Sequence, residues 1–275
     1  MIGAVANRSG DLGSVEQYKG SWALVTGASS GIGEEFCRQL ARVGVNLVIV
    51  ARRADRLDRL AALLRQEQGV DVRVFVTDLS QDGSPKAIRD FLANSGVVVR
   101  VLVNNAAGGR WGRFIDAPSN FYLEMIKVNA SAVVLLCREL ERDLASHGSA
   151  VIINVSSPAA LQPVPYMALY AATKAFVHNF SLALHYELKD SGIYVQTLVP
   201  GPTRTEFDEK AKAYASKLSE RGEVALVVGR SLRGISTREP VVTTAKGLFT
   251  QRLFAGLAPY RVVLREVAKL FRPPE

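Results

Sequence analysis

The chain has 275 residues, 48% of them hydrophobic, with eleven Phe, eight Tyr and two Trp. That composition excludes a disordered chain and leaves one large α/β domain or two smaller ones. The formal net charge of +8 is compatible with nucleic acid, an anionic membrane surface, an anionic ligand or an ordinary basic surface.

The first nineteen residues are polar, rich in Gly and Ser, and lack the apolar run of a signal peptide. They are expected to form a flexible extension, with a single folded domain over residues 20–275. From there, short runs rich in Val, Ile and Leu alternate with stretches of helical period. The runs are Trp22 to Val25, Asn46 to Val50, Val72 to Val76, Val99 to Val103, Val151 to Val155 and Tyr194 to Val199. Near-continuous apolar runs suit strands covered on both faces. The stretches between them are Phe36 to Val43, Leu57 to Leu64, Ile88 to Leu92, Phe121 to Leu144 and Phe176 to Leu188. This alternation predicts an α/β fold, a Rossmann-like, doubly wound parallel sheet with helices on both faces. Glu206 to Ser219 and Glu223 to Leu232 read as helices of a lid spanning about 206–233. Pro240 to Thr244 reads as a last strand. A helical tail over about 246–272 breaks at Pro259.

The first strand runs into Thr26-Gly27-Ala28-Ser29-Ser30-Gly31-Ile32-Gly33, and a helix begins straight after. Glycines there permit a tight turn and let backbone approach a pyrophosphate, which the helix N-terminus attracts. In this strand–turn–helix context the turn predicts dinucleotide binding. The second strand ends at Ala51-Arg52-Arg53, without the acidic residue that would favour NAD. Two guanidiniums there suit a 2′-phosphate and point to NADP, with Arg52 the preferred contact. Equally, they begin a solvated helix that continues with Arg56 and Arg59. Asp78, followed by Leu79, ends the third strand, placed for the adenine amino group or simply opening a turn before Pro85.

Tyr170 and Lys174 are four residues apart and share one face of a helix. A free phenol, with a pKa of roughly 10, is a poor base at neutral pH, and an adjacent ammonium favours its ionised form. Such a pair serves as acid or base at a carbonyl or alcohol. Ser156 and Ser157 end the fifth strand, where ligands approach such sheets. Ser157 is placed to hold a substrate oxygen, and Ser156 reads as structural. Asn129 interrupts the apolar run Val128 to Leu136, as a satisfied helix kink or as a water relay to Lys174.

Together these residues resemble the short-chain dehydrogenase/reductase family over about Gly20 to Thr205. The Thr-Gly-x-x-x-Gly-x-Gly turn, Asn104-Asn105-Ala106, and Tyr-x-x-x-Lys with a serine thirteen residues ahead of the tyrosine carry the resemblance. It implies a catalytic tetrad of Asn129, Ser157, Tyr170 and Lys174, with Lys174 also on the nicotinamide ribose. Asn105 and Ala106 would border the adenosine ribose. Pro200-Gly201 resembles the family's Pro-Gly turn, so Thr203 and Thr205 would meet the nicotinamide amide. The expected function is an NADP(H)-dependent oxidoreductase that reduces a hydrophobic ketone or aldehyde, or oxidises the matching alcohol. A 3-oxoacyl thioester reductase and a non-catalytic dinucleotide sensor are the alternatives. The intact tetrad speaks against the sensor.

Two departures from the family pattern stand out. The family follows Asn-Asn-Ala with one Gly, whereas here the run reads Ala106-Ala107-Gly108-Gly109. The ending after Thr205 lacks the Gly-rich sequence of many acyl-carrier-protein ketoreductases. Its basic-apolar tail is similar to bacterial and reticulum-linked members acting on hydrophobic ketones or acyl chains. Trp111, Phe114, Leu161, Val164, Tyr166, Phe207 and Tyr214 are candidate pocket residues, or equally ordinary core or oligomer interface. Lys210, Lys212 and Lys217 are candidates for attracting an anionic carrier such as coenzyme A, and a solvated helix face explains them as well. The tail from Tyr260 to Arg272 has an apolar side expected on its own sheet or a second subunit, with a membrane-surface helix as the alternative.

The remaining expectations concern partners and setting. The family resemblance implies a homodimer or homotetramer. Basic residues are spread along the chain, so a nucleic-acid partner is not expected. Neither is a metal, because His147, His178 and His185 lack ligand spacing. Cys37 and Cys137 lie in apolar helical patterns, without a disulfide, in a cytoplasmic setting. No apolar run reaches the roughly 18 residues of a membrane span.

Overall fold

Strands that are apolar on both faces must be covered on both faces, and the intervening helices do this. The computed structural model describes residues 13–207, 211 and 221–273. Its strands are β1 (Trp22–Thr26), β2 (Asn46–Ala51), β3 (Val72–Val76), β4 (Val99–Asn104), β5 (Ala150–Val155), β6 (Ile193–Val199) and β7 (Val241–Thr243). All pair in parallel, in the order β3-β2-β1-β4-β5-β6-β7. The order reverses between β1 and β4, which opens a crevice at their C-terminal ends. Every residue of β5 and β6 is buried, which is why their sequences do not alternate.

The helices are α1 (Gly13–Glu16), α2 (Gly31–Arg42), α3 (Ala54–Gln68), α4 (Ser84–Asn94), α5 (Ser119–Ile126), α6 (Ala132–Glu139), α7 (Glu141–Ser146) and α8 (Ala168–Glu187). They are followed by α9 (Val224–Thr237), α10 (Leu248–Leu257) and α11 (Tyr260–Phe271). One apolar core joins the sheet to Phe36 and Leu40 of α2, Leu57 and Leu64 of α3, and Val228 and Leu232 of α9. The other joins the opposite face to Ile88 and Leu92 of α4, Leu136 of α6 and Leu144 of α7. The Rossmann-like fold expected from the sequence is the fold found.

Two details differ from the expectations, and a third selects among the alternatives they left open. The extension is not loose over its last residues: Val15 and Tyr18 are buried, and the Arg100 guanidinium lies 4.8 Å from the Tyr18 ring centre. Residues three apart on one turn share a face, so even this short helix contributes to the core. Second, Phe121 to Leu144 is not one helix. A π-helical turn, Lys127–Ser131, separates α5 from α6, and α7 follows as a further break. The stretch Ser119–Glu139, with a mean hydropathy of 1.3, has the length and composition of a membrane span, yet it buries Met125, Ala132, Val133 and Leu136 in this fold.

Third, the end of the chain is settled within the chain itself. α11 buries Val263 and Val267 against Trp111, Val164, Met167 and Ala171. The Trp111 indole Nε1 donates to the Phe271 carbonyl at 2.7 Å. Most of the expected helix Glu206 to Ser219, with Lys210, Lys212, Tyr214 and Lys217, lies outside the described residues.

Candidate active site

At the end of β1, Thr26 ties the crevice together. Its hydroxyl donates to the Val103 carbonyl at 3.3 Å and accepts from the N–H groups of Asn105 and Ala106 at 3.0 and 3.1 Å. The Asn105 amide donates to the Thr26 carbonyl at 3.0 Å. These bonds bring the turn after β1 against the segment after β4. Gly33 is required by the approach: a Cβ there would stand 2.4 Å from the Gly27 carbonyl oxygen. Gly27 has φ +66°, and its Cβ would meet Asn105 and Ala106 under 3 Å. So Ala106 is accommodated because the facing position is glycine.

Ser30 is the N-cap of α2 but makes no side-chain cap bond. The first N–H groups of α2 thus have no side-chain acceptor, the arrangement that favours an anion. A cleft of about 500 Å³ adjoins them, lined by Ser30, Gly31, Arg204, Thr205 and Glu206 among others. Gly31 packs under Thr205, the distance from a built Cβ to the Thr205 methyl being 3.1 Å. The turn after β6 is itself braced. The Gly201 N–H donates to Thr244 Oγ1 at 3.1 Å, and Thr203 Oγ1 donates to the Gly201 carbonyl at 2.7 Å. It carries Pro200, Gly201, Thr203 and Thr205 to the rim of the turn after β1. This cradle, with its uncapped helix end and close glycines, fits a dinucleotide.

The two arginines after β2 take different courses. Arg52 is 72% exposed and reaches Asp78 at 3.4 Å. Arg53, 29% exposed, turns inward, and its NH2 donates to Ser29 Oγ and Ser30 Oγ, both at 2.8 Å. Its NH1 bonds Glu206 at 2.9 Å, and Arg56 bonds the other oxygen of the same carboxylate. The guanidinium held against the turn is therefore that of Arg53. Glu206 lies 153 positions away in sequence, and no local pattern pointed to it. Asp78 opens the next turn, accepting from the Ser80 N–H at 2.9 Å. Burial pushes its carboxyl up, but the bonds from Ser80 and Arg52 outweigh that and hold it below its ordinary range. Leu79 is buried in the core beneath.

Across the crevice, β5 ends at Val155 and its carbonyl accepts the Lys174 ammonium at 2.8 Å. Lys174 is only 4% exposed, and burial pushes its pKa down to about 8. Its Nζ stands 5.9 Å from the centre of the Tyr170 ring, one helical turn back on α8. Ser156 is buried and donates to the Lys174 carbonyl at 3.0 Å, a structural tie between β5 and α8. Ser157 starts the 3₁₀ turn Pro158–Leu161, its hydroxyl accepting from the Ala159 N–H at 3.2 Å. The two serines thus differ in the fold, Ser156 tying β5 to α8 and Ser157 capping the turn that follows.

Asn129 sits in the π-helical turn, a local irregularity found often at functional sites. Its Oδ1 accepts from the Gly108 N–H, and its Nδ2 donates to the Gly108 carbonyl, both at 2.8 Å. Nδ2 also donates to Thr173 Oγ1 at 3.1 Å. The polar interruption is satisfied by clasping the segment after Asn105 and fastening it to the residue before Lys174. That clasp, and the role of Thr173 in it, was not evident in the sequence.

The expected pocket residues divide. Phe114 and Tyr166 line a small cleft of about 30 Å³ with Arg110, Tyr122, Met125 and Tyr170. Tyr166 is held at φ +67°, uncommon for a bulky residue and a mark of strain beside the site. Phe207 packs on Tyr170 with ring centres 5.3 Å apart, and on Gly109. Leu161 is half-buried in the turn after Ser157. Trp111 and Val164 are not at the mouth: both are buried where α11 docks.

A parallel sheet with a glycine-rich turn after β1 and a Tyr–Lys pair beside the end of β5 defines a dinucleotide-dependent oxidoreductase scaffold. The chain belongs to the short-chain dehydrogenase family, whose model matches residues 21–216. It is 33% identical to a very-long-chain 3-oxoacyl-CoA reductase from Anas platyrhynchos, over 76% of this chain and 68% of that protein. It is 35% identical to 17-beta-hydroxysteroid dehydrogenase type 3 from Mus musculus, over 66% of this chain and 59% of that one. The chain thus spans about two thirds or less of the length of these relatives. Among solved structures, a Sphingobium yanoikuyae short-chain dehydrogenase in complex with NADPH is 35% identical, with a TM-score of 0.77. The match covers 84% of this chain and 91% of that one. A bulky-bulky ketone specific alcohol dehydrogenase from Comamonas testosteroni is 34% identical, with a TM-score of 0.73, covering 82% and 86%.

Proposed function

We propose that this chain is an NADP(H)-dependent reductase of hydrophobic ketones or aldehydes, acting reversibly on the corresponding alcohols. The observation that carries it is the buried Lys174, bonded to the last carbonyl of β5 and 5.9 Å from the Tyr170 ring centre. Ser29, Ser30, Gly31, Ile32 and Gly33 would hold the pyrophosphate, Arg53 and Arg52 the 2′-phosphate, and Thr203 and Thr205 the nicotinamide end. Bound there, the dinucleotide supplies or accepts a hydride. Ser157 hydrogen-bonds the carbonyl oxygen, and Tyr170 gives that oxygen its phenolic proton. Protonated Lys174 favours the phenolate that remains. Asn129 holds the wall of the site through Gly108 and supports the return path of the proton. In alcohol oxidation Tyr170 takes the proton instead.

A second substrate class, 3-oxoacyl thioesters, is favoured by the names of several similar proteins. Turnover of a long-chain 3-oxoacyl thioester set beside a bulky aromatic ketone separates the two. A homodimer or homotetramer is supported by the large apolar side chains exposed on α5, α6 and α8, among them Leu123, Leu135 and Phe176. A reducing, cytoplasmic setting is supported by two buried, unbridged thiols, Cys37 and Cys137.

Fluorescence titration with NADPH and NADH tests the cofactor reading. NADPH should bind more tightly, and Arg53→Ala should weaken it by about tenfold, or ~1.4 kcal/mol, with little effect on NADH. Glu206→Gln should strengthen NADPH binding, since its carboxylate competes for the same guanidinium. Equal affinities in the wild type would overturn the NADP assignment.

A further inference from the structure

The tail was expected to offer one amphipathic face, and α11 uses that face against its own chain. α10 is different. No residue of this ten-residue helix is buried, although its sequence, LFTQRLFAGL, is mostly apolar. Phe249, Leu253 and Leu257 recur every fourth residue and so project from one side. Phe249 is 78% and Leu257 76% exposed, and Phe254 and Leu253 are also open to solvent. Tyr260, 72% exposed, and Leu264 continue the apolar surface onto the start of α11. The segment that carries it is basic: between residues 246 and 273 the sequence has six Lys and Arg and a single acid, Glu266. Glu266 is already paired with Arg265 and Lys269.

We propose that α10 is a membrane-docking helix that seats this protein on an anionic lipid surface. Apolar side chains on one face with cations around them match the acyl boundary and the charged headgroups of such a surface. A second copy fits less well. A two-fold contact through this patch would bring together two copies of the same basic segment, which carries Lys246, Arg252 and Arg261. Placement adds a reason for the site to be here. The Gln251 amide donates to the Pro158 carbonyl at 2.9 Å, fastening α10 to the turn that follows Ser157. A docked α10 thus holds the substrate side of the crevice close to the lipid in which apolar carbonyl compounds dissolve.

Co-sedimentation of the full chain with phosphatidylcholine vesicles, and with vesicles containing roughly one-third phosphatidylglycerol, tests this directly. The anionic vesicles should retain the protein, and raising salt should release it. The double variant Phe249→Glu/Leu257→Glu should lower retention by about tenfold or more, with an unchanged circular-dichroism melt and NADPH titration. A milder variant, Arg252→Gln, should weaken binding to anionic vesicles only. Retention that is unchanged in the double variant, or equal on neutral vesicles, overturns the proposal. So does a dimer in sedimentation equilibrium that only the double variant dissociates, which would make a second copy the occupant. Because the readout is lipid binding, it stands apart from which dinucleotide the site accepts.

Discussion

Lys174 is held where two demands conflict. Its ammonium bonds the Val155 carbonyl, while burial favours the neutral amine and brings its pKa from 10.5 to about 8. Between those values the unfolded chain binds a proton that the folded chain has released, so this group's contribution to stability rises with pH. Lys174→Met removes that contribution. The stability of the wild type relative to this variant should therefore increase from pH 8 to pH 10 in urea melts. A difference independent of pH would mean that Lys174 titrates normally. Tyr170 makes the second residue-scale prediction. Tyr170→Phe keeps the ring that packs on Phe207 but has no proton to give. Turnover should fall by about 10³-fold or more while the NADPH dissociation constant stays within about twofold. Turnover like that of the wild type would sink the mechanism.

At the scale of elements, the site depends on two backbones meeting. The turn after β1 and the segment after β4 are joined by Thr26 and Asn105, and Gly33 lets α2 begin against them. Gly33→Ala would force a methyl within 2.4 Å of the Gly27 carbonyl, and backbone cannot swing aside as a flexible side chain does. The variant should lose about 2–4 kcal/mol of stability and much of its NADPH affinity together. Gly69, past the end of α3, is a control of the opposite kind. A Cβ there meets nothing within 4 Å, although its φ of +66° strains any other residue. Gly69→Ala should cost only about 1 kcal/mol and leave NADPH binding intact. Thermal melts with and without NADPH compare the two.

Over the whole molecule, α11 closes an apolar cluster formed by Trp111, Val164, Met167 and Ala171, far apart in sequence. Each buried valine of α11 contributes about 1.5–2 kcal/mol, and the Trp111 bond to Phe271 adds about 1 kcal/mol. A chain ending at Pro259 should melt several degrees lower and bind an apolar fluorescent dye through the uncovered cluster. An unchanged melting temperature would show that α11 is dispensable to the fold. The cluster adjoins Tyr166 and Tyr170, so the same truncation should raise KM for bulky substrates more than it lowers kcat.

The seven strands, the turn after β1 and the Tyr170–Lys174 pair were legible in the sequence because each rests on local periodicity or fixed spacing. Strand period, helical period and the glycines of a tight turn are short-range demands, and a reader needs only neighbouring residues to see them. Tertiary structure alone decided the rest. Arg53, with its guanidinium on Ser29, Ser30 and Glu206, could not be told from Arg52 by position, since adjacent side chains diverge and only packing selects the inward one. Asn129 read as a kink or a relay until Gly108, from another segment, accounted for its amide. Trp111 and Val164 read as pocket because apolar residues near a site look alike, whether they face a ligand or a docked helix. Which apolar face of the tail would be covered was likewise undetermined, because amphipathicity gives a helix a side to bury without naming its partner. The fold gave α11 that partner and left α10 facing outward.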